Sequence, residues 1–173
     1  MALCLYKHNM DKYISRKIDA EVLVEKLQRA LILEIIGIKK YFKSIYNMEG
    51  PERASLSTEM EEIMHQEMKH CHKLAMRISE LGGEVEWDGE NSGVECPENN
   101  CTYKHILYHM SLEEELMDVY HNILEYTENR DAVTHYMVSK IMHDEARHYE
   151  QLESFKEDID HMNYHIKNNI YGK

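Results

Sequence analysis

The chain is poor in the residues that interrupt or cross-link a fold. Its 173 residues include two prolines, seven glycines and four cysteines. The scarcity of Pro and Gly, with abundant Glu, Lys, Leu, Met and Ile, favours helix throughout. Four cysteines do not make a disulfide scaffold in a chain of this size, and they suit a reducing cytoplasm.

Long apolar runs are also missing. The nearest candidate, Ala30 to Ile38, is short and contains Glu34, so no membrane-spanning helix is predicted. Residues 1–9 lack the sustained apolar core and small-residue cleavage site of a signal peptide. The sequence therefore predicts one cytoplasmic domain, large enough to bury a substantial core and with no membrane partner.

Positive charge is the third shortage. Twenty Lys and Arg residues stand against 32 Asp and Glu, which gives a formal net charge of -12. This balance disfavours nucleic acid as a partner, and the tail offers only Lys167 and Lys173 among His and Asn where a DNA-protecting shell needs a basic arm. An acidic surface attracts cations, although it is more often simply a solvated face.

One pattern of carboxylates and imidazoles occurs twice. Glu67-Met-Lys-His70 and Glu145-Ala-Arg-His148 each place a Glu and a His three residues apart, which stacks both side chains on one helix face. Glu34 lies 33 residues before Glu67, and Glu113 lies 32 residues before Glu145. One Glu-x-x-His is a weak signal, but two with matched upstream glutamates are a strong one.

Apolar periodicity places this pattern on four helices. The predicted helices run from an N-cap at Asp19 to about Met48, from Ser55 or Ser57 to Leu81, from Tyr103 to Thr127, and from an N-cap at Asp131 to about Asp160. The chain then divides into an N-terminal arm (1–18), an all-α four-helix bundle (19–160) and a tail (161–173) that holds one short turn or no regular structure. The long connection 83–101 is typical of a bundle in which helices two and three are joined across the length of the molecule.

The glutamates of the pattern fall on inward-facing stripes. Glu34 lies within the apolar stripe Val22, Leu23, Leu27, Ala30, Leu31, Ile35, Ile38 and Phe42, and Glu113, rather than Glu114 or Glu115, faces inward. Burying an unpaired carboxylate carries a large desolvation penalty. Four glutamates and two histidines from four helices are the ligand set of a carboxylate-bridged di-iron site, so the predicted ligands are Glu34, Glu67, His70, Glu113, Glu145 and His148.

The usual arrangement of such a site assigns roles to the six residues. Glu67 and Glu145 bridge two metal ions, Glu34 and His70 complete one of them, and Glu113 and His148 complete the other. Iron and manganese suit these mixed oxygen and nitrogen ligands. Two divalent cations cancel the four buried negative charges, and two Fe(II) ions side by side transfer two electrons together to O2 or H2O2.

A tyrosine follows each upstream glutamate by seven residues, Tyr41 after Glu34 and Tyr120 after Glu113. Three roles are open for each tyrosine: a hydrogen bond to a ligand, a source of an extra electron, or filling of core space. The last is the favoured interpretation.

Residues 20–158 resemble two branches of the ferritin-like superfamily. The segments Leu31–Phe42 and Glu67–His70 look like the first half of bacterioferritin. Val119-Tyr120, Asp131–Thr134, Glu145–His148 and the loop with Trp87 and Cys96 resemble the DPS-like proteins, also called thioferritins. The resemblance implies a ferritin-like bundle with a ferroxidase centre. It also implies a homo-oligomeric cage of 12 or 24 subunits that stores ferric iron and removes peroxide.

The chain departs from both branches. DPS-like proteins carry a second helix-three cysteine where this chain has Glu115, which argues against a thiol pair beside the site. Cys96 and Cys101 pair with each other or remain free thiols, and both alternatives stay open. Met68 matches the haem-binding methionine of bacterioferritin, but a methionine in a dimer contact or on a partly wet helix face is favoured over a haem ligand.

Two other functions are alternatives to iron storage. A rubrerythrin-like di-iron peroxidase without mineral storage shares the six ligands, although the two Cys-x-x-Cys pairs of its rubredoxin module are absent. A zinc site built on His143 and His148 with Cys96 and Cys101 is disfavoured, because the spacing matches no closed zinc site and histidines five residues apart do not share a helix face. The ferroxidase of a storage cage is the predicted function, with the peroxidase as the alternative.

Overall fold

The structure is a computed structural model that describes residues 18–50, 52–86, 97 and 100–171. Within these ranges the chain forms four long helices: α1 (Ala20–Asn47), α2 (Arg53–Glu80), α3 (Thr102–Thr127) and α4 (Ala132–Tyr171). The predicted all-α four-helix bundle is confirmed. No helix in the described ranges has an apolar stretch long enough to cross a bilayer. Residues 1–17 of the predicted arm, and Trp87 and Cys96, lie outside the described residues.

Local chemistry sets the ends of α1. Asp19 is its N-cap, as predicted, with Oδ1 accepting from the backbone N–H of Glu21 at 3.0 Å. After α1 the chain turns at Gly50, whose φ of 137° lies in a region that other residues avoid. A Cβ there would lie 2.7 Å from Oγ1 of Thr102, so the turn requires glycine on both grounds.

The described ends of the connection between α2 and α3 lie at opposite ends of α1. Near its start, Glu86 exchanges hydrogen bonds with the side chain of Gln28 on α1. At its end, the backbone N–H of Glu49 donates to the carbonyl of Asn100 at 2.7 Å, just beyond the other end of α1. Gln28 and Glu49 are about 30 Å apart along a helix that rises 1.5 Å per residue, which confirms the predicted crossover.

The helices pack as two antiparallel hairpins, α1 with α2 and α3 with α4. Two apolar clusters fill the interior. One includes Leu27, Leu74, Ile123 and Ile141, and the other includes Ile45, Met60, Met110 and Leu152. On every helix the residues of the predicted metal site lie between the residues of these two clusters, so the site forms a polar layer across the middle of the core.

Two sequence predictions about the helices are wrong. Phe42 is 56% exposed, because Tyr41 and Ile45 take the inward positions of the stripe that continues from Glu34.

Helix α4 does not end near Asp160 but continues to Tyr171. Residues 160–168 are exposed and give no apolar periodicity, yet the sequence there contains no Pro or Gly to stop the helix. An ion pair from Lys156 to Asp160 at 3.1 Å supports this last part of α4.

Candidate metal centre

All six side chains predicted as ligands meet in the polar layer. Helix α1 contributes Glu34, α2 contributes Glu67 and His70, α3 contributes Glu113, and α4 contributes Glu145 and His148. Each is at most 1% exposed, whereas the neighbouring Glu114 and Glu115 are exposed. The prediction that Glu113 is the inward glutamate of α3 is therefore confirmed.

Their donor atoms form two overlapping groups. Glu34, Glu67, His70 and Glu145 make one group, and Glu67, Glu113, Glu145 and His148 make the other; within each, one atom per residue lies within 4.8 Å of all the others. Nδ1 of His70 lies 2.9 Å from Oε1 of Glu145, and Nδ1 of His148 lies 3.0 Å from Oε1 of Glu67. Glu67 and Glu145 belong to both groups, which is the geometry that bridging ligands need.

Many of these atoms have no hydrogen-bond partner among the residues that the structure describes. The unpartnered buried atoms of the layer are Oε2 of Glu34, both carboxylate oxygens of Glu67, Nδ1 of His70, Oε2 of Glu113 and Oε1 of Glu145. Several lie close to one another, but not in hydrogen-bonding orientation. Buried polar atoms are otherwise almost always paired, and leaving them unpaired is costly. The donor set therefore fits cations, which would satisfy six atoms that no protein group satisfies.

By themselves, the six groups shift the pKa values of their neighbours. Burial, and next the charge of Glu67, raise the pKa of Glu34 well above its ordinary value, and the pKa of Glu113 is raised by burial and by the charges of Glu67 and Glu145. Burial lowers the pKa of His148, but the hydrogen bond that its Nδ1 makes to Oε2 of Glu145 and the nearby negative charges of Glu67 and Glu145 outweigh burial and raise the value to about 9. The same balance raises the pKa of His70. A metal ion that enters the site must displace these protons.

The two tyrosines cross between the hairpins. The Tyr41 hydroxyl of α1 donates to Oε1 of Glu113 on α3, and the Tyr120 hydroxyl of α3 donates to Oε1 of Glu34 on α1. Both rings are buried. Each tyrosine thus fills core space and also orients the carboxylate of the opposite half of the site.

Two residues that sequence reasoning missed hold the histidines from outside. Nε2 of His70 donates to Oδ2 of Asp144 at 3.2 Å, and Nε2 of His148 donates to Oε1 of Gln66 at 3.3 Å. These bonds place the proton on Nε2 and turn Nδ1 towards the carboxylates. A signal was present in the sequence, because Gln66 and Asp144 each precede a bridging glutamate of the repeated pattern.

A histidine pair behind Tyr41 was also missed. The ring of His109 stacks on Tyr41 with centroids 3.9 Å apart, and Oγ of Ser44 lies 2.8 Å from Nε2 of His109 and 2.8 Å from Nδ1 of His105. Burial lowers the pKa of His109 well below its ordinary value, so this imidazole is neutral. The pair packs behind the site without donating an atom to it.

The other predicted residues lie elsewhere. Met68 is 54% exposed on α2 and takes no part in the buried layer. Cys101 is an exposed free thiol, and its predicted alternative partner Cys96 lies outside the described residues. Whether Met68 contacts haem stays a prediction.

The family model for ferritin, described as a ferritin-like domain, matches residues 24–162. The chain belongs to the ferritin family. The matched range takes in all six residues of the polar layer, so the ferritin domain and the candidate metal centre coincide.

Individual ferritin-family relatives agree with this assignment. Bacterioferritin from Desulfovibrio desulfuricans (strain ATCC 27774 / DSM 6949 / MB) is 26% identical over 152 residues, covering 84% of this chain and 76% of the bacterioferritin. The dodecameric thioferritin of Bacteroides fragilis, a bacterioferritin-related protein, superposes with a TM-score of 0.81 at 25% identity. The matched region covers 86% of this chain and 92% of the thioferritin chain. The solved structure of D. desulfuricans bacterioferritin, which describes its diiron site in different catalytic states, has a TM-score of 0.74 at 23% identity and covers 82% of each chain. The predicted resemblance to bacterioferritin and thioferritin is confirmed.

Proposed function

We propose that this chain is a ferroxidase: it binds two Fe(II) ions in the polar layer, oxidises them with O2 or H2O2, and assembles into a cage that stores the ferric product. The observation that carries the proposal is the pair of overlapping donor groups that share Glu67 and Glu145. Two metal positions joined by two carboxylates deliver two electrons in one encounter with the oxidant.

Each residue has a role in binding the substrate iron. Glu67 and Glu145 bridge the two ions, while Glu34 with His70 and Glu113 with His148 complete the two halves. Carboxylate oxygens and imidazole nitrogens suit Fe(II), and two divalent cations compensate four buried carboxylates. The hydrogen bonds from Tyr41 and Tyr120 keep the terminal carboxylates oriented.

The reaction balances without a further reductant. Each Fe(II) ion gives up one electron. With two electrons and two protons O2 becomes H2O2, and with two electrons and two protons H2O2 becomes two water molecules. Metal binding displaces protons from the glutamates and histidines whose pKa is raised. These protons leave before the oxidant reacts, so the two protons of the reduction come from water.

Storage requires many copies of the chain around a cavity. The relative from Bacteroides fragilis is described as dodecameric, which supports a cage of this kind. The aromatic pair Phe42 and Tyr46 supports a cage independently. Their ring centroids lie 4.9 Å apart, yet the two side chains remain 56% and 64% exposed in the single chain. Aromatic side chains of this kind are enriched in subunit interfaces.

The test is anaerobic loading with Fe(II), addition of O2 or H2O2, and a count of the iron retained per subunit. Retention of many more than two irons per subunit supports the storage cage. Retention of about two, the capacity of one di-metal site, would replace it with a di-iron peroxidase. No retention would exclude both.

A matched pair of variants locates the reaction. Glu67→Ala removes a bridge and should abolish rapid oxidation, with the helical circular dichroism unchanged. Glu61→Ala removes a carboxylate from the exposed face of the same helix and should oxidise iron at the original rate. Oxidation at the original rate in Glu67→Ala would place the reaction elsewhere.

A further inference from the structure

The two halves of the candidate centre repeat each other with one chemical difference. The terminal glutamates, the tyrosines, the bridging glutamates and the histidines are the same residue types in both copies of the pattern. The residue before the bridging glutamate is not. It is Gln66, a neutral amide, on α2, and Asp144, a carboxylate, on α4.

These two residues are the outer partners of the two histidines, and they cross between helices. Asp144 of α4 accepts the Nε2–H of His70 on α2 at 3.2 Å. Gln66 of α2 accepts the Nε2–H of His148 on α4 at 3.3 Å. The half of the site formed by Glu34 and His70 is therefore backed by a carboxylate, and the half formed by Glu113 and His148 by an amide.

The surroundings strengthen this difference. Oε1 of Gln66 also accepts from the guanidinium of Arg147, so the amide oxygen that faces His148 is shared with a cation. Nη2 of the same guanidinium lies 3.6 Å from Oδ1 of Asp144 and forms an ion pair with it. Oδ2 is left to His70. A carboxylate behind an imidazole makes the opposite ring nitrogen a stronger donor to metal, and a shared neutral oxygen does so less.

We infer that the two metal positions have unequal affinity for metal, and that the position at Glu34 and His70 fills first. The reason is that His70 donates its outer hydrogen bond to the carboxylate of Asp144, whereas His148 donates to the neutral amide of Gln66. The inference rests on the proposed metal centre and goes beyond it by ordering the two positions. Loss of such an outer hydrogen-bond partner typically lowers metal affinity 10- to 100-fold. The two dissociation constants should therefore differ by about tenfold or more.

The measurement is a titration of the full chain with Co(II), followed by visible absorption, after treatment with a chelator. Two successive steps are expected. In crystals grown with one Co(II) per subunit, anomalous scattering should place the ion beside His70 and Glu34. These readouts report binding and position, and neither depends on turnover of iron.

Isosteric substitutions separate the two outer partners. Asp144→Asn should weaken the first step about tenfold or more, and Gln66→Glu should tighten the second. The double variant carrying both changes should reverse the order, with the first Co(II) beside His148. Glu62→Gln is the matched control. Glu62 lines the same cavity of about 470 Å³ as Gln66 and Asp144, and in the described part of the chain no hydrogen bond joins it to either histidine.

The outcomes distinguish this inference from the proposed function. If the original protein binds two Co(II) ions in a single step that Asp144→Asn does not move, the inference is overturned while the metal centre stands. A first ion beside His148 in the original protein overturns it as well. If no Co(II) binds, the inference and the metal centre fall together. Two steps that exchange order in the double variant, and keep their order in Glu62→Gln, support it.

Discussion

Two buried polar clusters in this bundle are built on opposite principles. In the arginine cluster, formed by Arg77, Asp131 and Thr134, Asp131 accepts from Arg77 at 2.8 Å and from the Thr134 hydroxyl, and Arg77 also donates to Thr134 at 2.7 Å. The other oxygen of Asp131 accepts two backbone N–H groups at the start of α4. No side-chain atom of this cluster lacks a partner.

The candidate metal centre is as deeply buried, but six of its donor atoms have no hydrogen-bond partner among the described residues. In the arginine cluster the guanidinium of Arg77 pairs with the buried Asp131 and with the partly exposed Glu80 at 2.9 Å, whereas the candidate metal centre gathers four carboxylates around two imidazoles. The first is complete within the protein and has a structural role. The second has unpaired donor atoms that cations would satisfy, and under the proposed function that difference distinguishes a binding site from a buried ion pair when both consist of charged residues.

The largest effect is expected from breaking the complete cluster. Asp131→Ala leaves the buried Arg77 with only the partly exposed Glu80 as its anion and removes the N-cap of α4, so the free energy of unfolding should fall by about 3 kcal/mol, the lower end for a broken buried ion pair. Asp19→Ala is the control, since Asp19 caps α1 at the surface and pairs with no arginine of the described residues, and its loss should cost about 1 kcal/mol. Denaturant unfolding in EDTA measures both. Equal losses would mean that the buried ion pair contributes nothing beyond the cap.

The next effect is stabilisation of the incomplete cluster by metal. Binding to the native state alone adds about 2.7 kcal/mol at a ligand concentration one hundred times the dissociation constant. Thermal unfolding followed by circular dichroism should therefore shift upward when Co(II) replaces EDTA. Glu145→Ala, which removes a bridge, should lose the shift. Asp131→Ala should keep it in full, and loss of the shift in that variant would show that the two clusters are not independent.

The clusters should also respond to pH with opposite sign. His148 has a pKa of about 9 in the fold against 6.5 for an ordinary histidine, so its contribution to stability is complete below pH 6.5 and is lost as the pH rises through 9. In EDTA the free energy of unfolding should fall by about 1–3 kcal/mol over that interval. Burial raises the pKa of Asp131, but hydrogen bonds from Thr134 and Arg77 outweigh burial and lower the pKa below its ordinary value of 3.8. The contribution of Asp131 to stability is therefore lost only as the pH falls below 3.8. A profile without a decline above pH 6.5 would contradict the raised histidine values.

The sequence predicts which six side chains meet in the polar layer because the chain repeats their pattern. Glu34, Glu67 and their counterparts in the second half appear at matched spacing, and a repeated spacing of charged residues within apolar stripes has few explanations other than a shared site. The Asp19 and Asp131 caps were predictable for a different reason, since each stands immediately before an apolar helical pattern.

What escaped prediction depends on contacts between helices. The hydrogen bond between His148 and Gln66 joins residues 82 positions apart in the sequence. The periodicity of one helix does not reveal which residue of a neighbouring helix lies opposite a given side chain. The extension of α4 to Tyr171 escaped because its exposed side chains carry no apolar pattern. Phe42 was misplaced because the stripe on α1 passes through the neighbouring Tyr41 instead.

The smallest expected effect decides what the tyrosines do. Tyr41→Phe keeps the ring that packs on His109 and removes only the hydroxyl that donates to Glu113. A net hydrogen bond contributes about 1 kcal/mol, so denaturant unfolding in EDTA should show a loss of that size. Tyr136→Phe, which changes an exposed ring, should stay within about 0.5 kcal/mol of the original. If the two variants are indistinguishable, Tyr41 serves the core alone, and the carboxylate it faces relies on metal rather than on the protein for its orientation.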